Sequence, residues 1–199
     1  MKSFIKISIC VFLVTSVLYF RDVWQDKKAL QDNLIRLHIV ANSDSQKDQQ
    51  IKLQVKEAVV SYLQPKISEL SDKTQAMAFV ANNLSAIQEV ANKTLTELGE
   101  DACTAISLSK EAFGTRKYDT FSLPAGIYDS LRIEIGEGLG KNWWCVVFPT
   151  LCLPATSDGF QDTAVSSGFS QTLGNSLAGG RNLRFYILDC FGRIEKLFY

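Results

Sequence analysis

The chain has 199 residues, with 21 basic and 21 acidic side chains, one histidine and a formal net charge of zero at pH 7. That balance excludes a nucleic-acid binder, which needs a basic face, and adhesion to anionic headgroups through a polybasic patch. With 46% hydrophobic residues the chain is globular rather than disordered.

The N-terminus places Lys2 and Lys6 before an uncharged run, Ile7 to Phe20. At 14 residues that run is short for a bilayer span of about 20 and fits the apolar core of a secretory signal. Tyr19, Phe20 and Arg21 make a poor cleavage site, so a cleaved signal peptide and a retained signal-anchor over residues 1–21 both stay open. Either way the remainder is exported, and any membrane attachment is through this segment alone. Residues 22–33 read as a polar tether, and 34–199 as a single domain large enough for its own core.

"LIRLHIVANSD" opens the domain as a buried strand that ends at Asn42, Ser43 and Asp44. Ser45 with Asp48 resembles a capping box. The following helix carries Ile51, Val55, Ala58, Val59 and Tyr62 on one face, and Pro65 ends or kinks it. A second helix runs from a cap at Ser71, through Met77, Val80, Leu84, Ile87, Ala91 and Leu98, to a stop at Gly99.

From Ala102 the period changes to two. "ACTAISLSKEAF", "IYDSLRIEIGEG" and "NWWCVVFP" read as strands. The order β-α-α followed by three or four strands predicts an α+β fold, with two helices packed on one face of a mainly antiparallel sheet. Residues 155–182 hold five glycines and many serines and threonines, and predict a long loop. "RFYILDCFGRIEKLFY" closes the domain with a strand and a hairpin partner or short helix.

Four cysteines remain outside the leader, Cys103, Cys145, Cys152 and Cys190, since Cys10 lies within it. In an oxidising compartment they are disulfide candidates. Pro149 and Thr150 allow a turn that would bring Cys145 to Cys152, which is preferred, with longer-range pairings open. No metal site or cofactor is predicted, because Cys145 and Cys152 are seven apart and His38 is the one histidine. A Cys-His hydrolase acting on peptide or cell-wall bonds would need Cys145 or Cys152 beside His38, with Asn142 or Asp44 orienting the ring. No local motif supports it, and the chain is read as a non-enzyme. If the Trp143–Trp144 segment is a strand, the two rings point to opposite faces, and an exposed tryptophan suits a binding hot spot.

Two segments carry a resemblance. "IRLHIVANSDSQKDQQIKLQVKEAV" and "NWWCVVFPTLC" are similar to the hallmarks of the stage II sporulation protein R family, which the chain resembles from about Leu34 to Leu153 and weakly again at "LRFYILD". The motif residues are His38, Asn42, Ser43, Asp44, Asp48 and Gln49, then Asn142, Trp143, Trp144, Cys145, Pro149 and Cys152. Where the family pattern has a double proline before the second cysteine, this chain has Pro149-Thr150. The resemblance implies an intercellular sporulation signal, exported from the forespore to the intermembrane space and secreted or anchored there. Its implied partner is the membrane-embedded aspartic protease of the mother-cell septal membrane, stage II sporulation protein GA, which processes the precursor of sigma-E. The expected partner-binding surface comprises His38, Asn42, Ser43, Asp44, Asp48, Gln49, Asn142, Trp143 and Trp144.

Overall fold

A computed structural model describes residues 1–149, 169–179 and 182–199. The first strand, β1 (Ile35–Val40), is buried at every position. Ile35, Leu37, Ile39 and Val40 are apolar, and Arg36 and His38 between them are buried as well, so the strand is covered on both faces, as a central strand is. It pairs in parallel with β5 (Gly126–Ile135) and antiparallel with β6 (Asn142–Phe148), while β2 (Thr104–Phe113) pairs antiparallel with β5. The order is β2-β5-β1-β6. A short hairpin, β3 (Arg116–Lys117) and β4 (Ser122–Leu123), forms a separate ribbon. The α+β class and the mainly antiparallel sheet are as expected, with one parallel pair at its centre.

Alternation along the strands separates two faces. Ile35, Leu37 and Ile39 of β1 join Leu131, Ile133 and Ile135 of β5 and Cys145 and Val147 of β6 on one of them. Three helices cover this face: α2 (Gln46–Ile67), α3 (Lys73–Asn82) and α4 (Leu84–Glu97). Helix α2 contributes Ile51, Val55, Val59 and Leu63, and α4 contributes Ile87, Ala91 and Leu95, at the i, i+4, i+8 spacing of a helical stripe. Helix α2 passes Pro65 and ends at Ile67. The single second helix expected from the sequence is two helices. Asn83, at φ −115° and ψ 13°, leaves the helical region between them. The cap of α3 is Asp72, whose side chain accepts from the Gln75 amide at 2.9 Å, rather than Ser71. Gly99 supplies the stop after α4, at φ +74°.

The opposite face is also covered, which differs from the expected one-sided packing. There Phe113, Tyr128 and Val146 meet α1 (Lys2–Asn33), α5 (Gln171–Gly179) and α6 (Leu183–Glu195). Residues 22–33 are not a tether but the last turns of α1, which buries Val23, Asp26, Lys27 and Leu30. The charges that gave the segment its polar look are paired. Asp26 accepts from Arg184, and Lys27 lies 3.0 Å from Glu195. Part of the expected 155–182 loop is α5, where Leu173 and Leu177 are buried four apart and the Ser170 hydroxyl accepts from the Leu173 amide at 3.1 Å. Residues 155–168, 180 and 181 lie outside the described residues. The closing segment is one helix, not a strand. Asn182 caps it at the Phe185 amide, and Phe185, Leu188 and Gly192 recur at helical spacing on its buried side.

Candidate functional site

The strand β1 delivers the Asn42-Ser43-Asp44 loop to the end of the sheet at which the parallel pair β1 and β5 terminates. Ser45 caps α2 by accepting from the Asp48 amide at 3.1 Å. The Asp48 carboxylate turns back to accept from the Ser43 hydroxyl and from Asn42 Nδ2 at 3.2 Å. The Ser43 hydrogen bond holds the Asp48 carboxyl below its usual range. Gln49 Nε2 donates to the Ser43 carbonyl at 2.8 Å. Ser43, Asp48, Gln49 and the Asn42 amide nitrogen thus bond within their own loop.

A second loop, residues 136–141, is laced onto the first. Asn42 Oδ1 accepts from the Glu137 amide at 3.0 Å, and Asp44 Oδ1 from the Lys141 amide at 2.7 Å. The Gly140 amide donates to the Ala41 carbonyl at 2.8 Å. Lys52, buried on α2, donates to Gln49 Oε1 at 2.7 Å and to the Lys141 carbonyl at 2.8 Å. Burial pushes the Lys52 ammonium below its usual value. The close approach depends on glycine. A Cβ on Gly140 would stand 2.2 Å from the Ser43 carbonyl oxygen.

Lys141 leads directly into Asn142 and so joins this network to a polar-aromatic cluster on the sheet. His38 pairs across β1 with Trp144 and Arg132. Its ring stacks on Trp144 with centroids 3.7 Å apart and planes inclined by 20°. Nε2 faces Asn142 Oδ1 at 2.7 Å, and Nδ1 faces both Glu111 oxygens at 3.2 Å. Arg132 donates to Glu111 at 2.7 Å and to Glu134 at 2.5 Å. Burial alone would raise the Glu111 pKa, but hydrogen bonds from His38 and Arg132 outweigh it and bring it down to about 2. Arg116 lies 4.7 Å over the other aromatic partner, Trp144.

Trp143 faces the opposite way, as strand alternation requires, and stays partly exposed with Lys56 Nζ 5.4 Å from its ring. Of the nine expected residues, then, His38, Asn142 and Trp144 form one cluster. Asn42, Ser43, Asp44, Asp48 and Gln49 form a second, adjoining one, and Trp143 stands apart on the side of α2. The structure adds Glu111, Arg132, Lys52 and Arg36. Arg36 is fully buried, with Nε donating to the Cys145 carbonyl at 3.1 Å, Nη2 to the Tyr118 hydroxyl at 2.8 Å, and its guanidinium 4.3 Å over Phe113. A charged residue inside an otherwise apolar strand was the available signal for it.

Cys145 is disulfide-bonded, and its partner lies outside the described residues, as does Cys152. Cys103, just before β2, and Cys190, on α6, are free and exposed, so those two candidates are corrected. A nucleophilic pair of Cys145 with His38 is not assembled either. Cys145 pairs with Leu37 and His38 with Trp144, so the two side chains point to opposite faces, and the Cys145 sulfur is already bonded.

Residues 31–158 match the sequence model of the family described as stage II sporulation protein R. The chain belongs to that family. Over 130 residues it is 35% identical to the stage II sporulation protein R of Bacillus subtilis (strain 168), a stretch covering 65% of this chain and 58% of that relative. The match therefore spans less than two thirds of the relative's length. No solved structure matches the chain. Both motif segments, up to Cys152, fall inside the matched residues.

Proposed function

We propose that this chain is an exported sporulation signal whose domain activates the membrane aspartic protease stage II sporulation protein GA, and thereby the processing of the sigma-E precursor. One observation carries the reading. The two family motifs, about 100 residues apart in sequence, meet through the Asp44–Lys141 and His38–Asn142 hydrogen bonds in one surface. Interlocked side chains and a glycine-dependent loop contact hold that surface in a single shape. A preformed polar and aromatic surface loses little entropy on docking, and so can favour one state of a receptor over another. The competing Cys-His reading loses its Cys145 pair, because Cys145 is disulfide-bonded and faces away from His38.

The test is co-expression of this chain, the protease and the sigma-E precursor in a non-sporulating host, with and without residues 1–21. Precursor cleavage that depends on the exported chain supports the reading. Cleavage indifferent to its presence, or cleavage by this chain with the protease absent, would overturn it.

A further inference from the structure

Helix α6 has two apolar sides. Phe185, Leu188 and Gly192 face the core, while Leu183, Tyr186, Cys190 and Ile194, spaced three, four and four apart, face outward and are exposed. Leu183 is 68% and Tyr186 59% exposed, although a solvent-facing helix side ordinarily carries polar residues.

What covers this stripe is indicated by where α1 meets it. Phe191 lies 5.7 Å from the Trp24 ring and 6.3 Å from the Phe20 ring, and the Arg184 guanidinium lies 5.9 Å over Tyr19. The flank of α6 from Arg184 to Phe191 therefore runs alongside the end of the apolar run of α1. Among the described residues α1 is the one helix long and apolar enough to cross a membrane. Its uncharged run Ile7–Phe20 rises about 21 Å at 1.5 Å per residue. The helix approaches the roughly 30 Å of a hydrocarbon core by extending back through Lys6 to Lys2, whose long stems reach the headgroups. Tyr19, Phe20 and Trp24 fall at its end, where aromatic rings settle at a membrane–water interface. Only three residues beyond Phe20, Val23 is fully buried against the domain, so no spacer separates the run from the fold.

We propose that Leu183, Tyr186 and Cys190 of α6, with Tyr19, Phe20 and Trp24 of α1, form a seat that rests in the interface of a lipid bilayer and holds the domain directly on the membrane. The proposal rests on α1 being inserted. It goes beyond anchoring, because it assigns a second contact, made by the folded domain and separated by over 150 residues of sequence from the anchor. The occupant is lipid rather than a second copy because Arg184 and Phe191, which flank the stripe, pack on Tyr19, Phe20 and Trp24 at the end of the apolar run of α1.

The three cysteines that are free among the described residues provide the test. Variants of the full chain retaining one of Cys10, Cys103 and Cys190, with the other two changed to serine and the Cys145 disulfide left intact, are labelled with an environment-sensitive fluorophore. They are reconstituted into phosphatidylethanolamine/phosphatidylglycerol vesicles containing spin-labelled lipids. The Cys10 probe should be quenched most by deep labels, the Cys190 probe by shallow ones, and the Cys103 probe by neither. Leu183→Glu with Tyr186→Glu should return the Cys190 probe to a water-like spectrum and leave Cys10 unchanged. A water-like Cys190 probe beside an inserted Cys10 probe overturns the seat and leaves the anchor intact. A blue-shifted but unquenched Cys190 probe overturns it in favour of a protein neighbour. A Cys10 probe that is not inserted overturns anchor and seat together.

Discussion

The His38 imidazole lies flat against Trp144, 3.7 Å between ring centroids, on the strand pair that carries both family motifs. Trp144 also meets Phe113 edge-on at 4.9 Å and sits beneath Arg116, so its neighbour Trp143 is the one left to solvent on the other face. The adjacent tryptophans therefore have different jobs. Trp144→Ala opens a gap in a packed cluster and should cost about 3 kcal/mol or more. Trp143→Ala removes a surface ring and should cost under about 1 kcal/mol. Thermal denaturation of the two variants separates them. If Trp143 is a contact for the receptor, its variant should keep the wild-type melting temperature and lose precursor cleavage.

Glu111 ties the same cluster to pH. Its ordinary pKa of 4.5 falls to about 2 in the fold. A carboxyl depressed by folding stabilises the native state above its unfolded pKa, and that contribution disappears as pH drops through the folded value. Stability should therefore decline between about pH 4.5 and pH 2. Glu111→Gln, which cannot ionise, should be less stable than wild type at pH 7 and show a shallower acid decline. Urea titrations at pH 7, 4 and 3 would reveal both, and parallel declines in the two proteins would count against the assignment.

Much of this was legible in the chain. β1 announced itself as a β-branched run with a polar stop, and the Ser45 cap was visible before α2. The edge strand β2 showed its alternation. The closing helix was misread because Phe185, Tyr186, Ile187 and Phe191 are aromatic or β-branched and favour strands locally. Only packing against α1 and the Asn182 cap decide for helix. The Asn83 break left the apolar spacing unchanged and so gave no signal. In the site, motif residues were readable, but Glu111 reaches His38, and Arg132 reaches Glu111, from strands distant in sequence. No local pattern encodes that meeting.

The loop contact gives a sharper test of the interlocked surface. In Gly140→Ala the added methyl meets a backbone oxygen that cannot move without breaking the Gly140–Ala41 and Asp44–Lys141 hydrogen bonds. Global stability should fall by about 1–3 kcal/mol, and amide exchange should accelerate first in residues 41–45 and 137–141. Gly114→Ala, where nothing lies within 4 Å of the new Cβ, is the matched control and should leave exchange in both loops unchanged.

Among the described residues, Cys145 is disulfide-bonded and Cys10, Cys103 and Cys190 are free. Cys145→Ser breaks a disulfide beside a fully buried arginine, and the loss of a native disulfide typically costs about 2–5 kcal/mol. Cys103→Ser and Cys190→Ser alter exposed thiols and should stay within about 0.5 kcal/mol of wild type. Denaturation with and without a reductant makes the comparison complete. Wild type should drop to the stability of Cys145→Ser on reduction, while Cys145→Ser itself should not respond. An equal response to reductant in both would mean that Cys145 is not the residue through which the reductant acts.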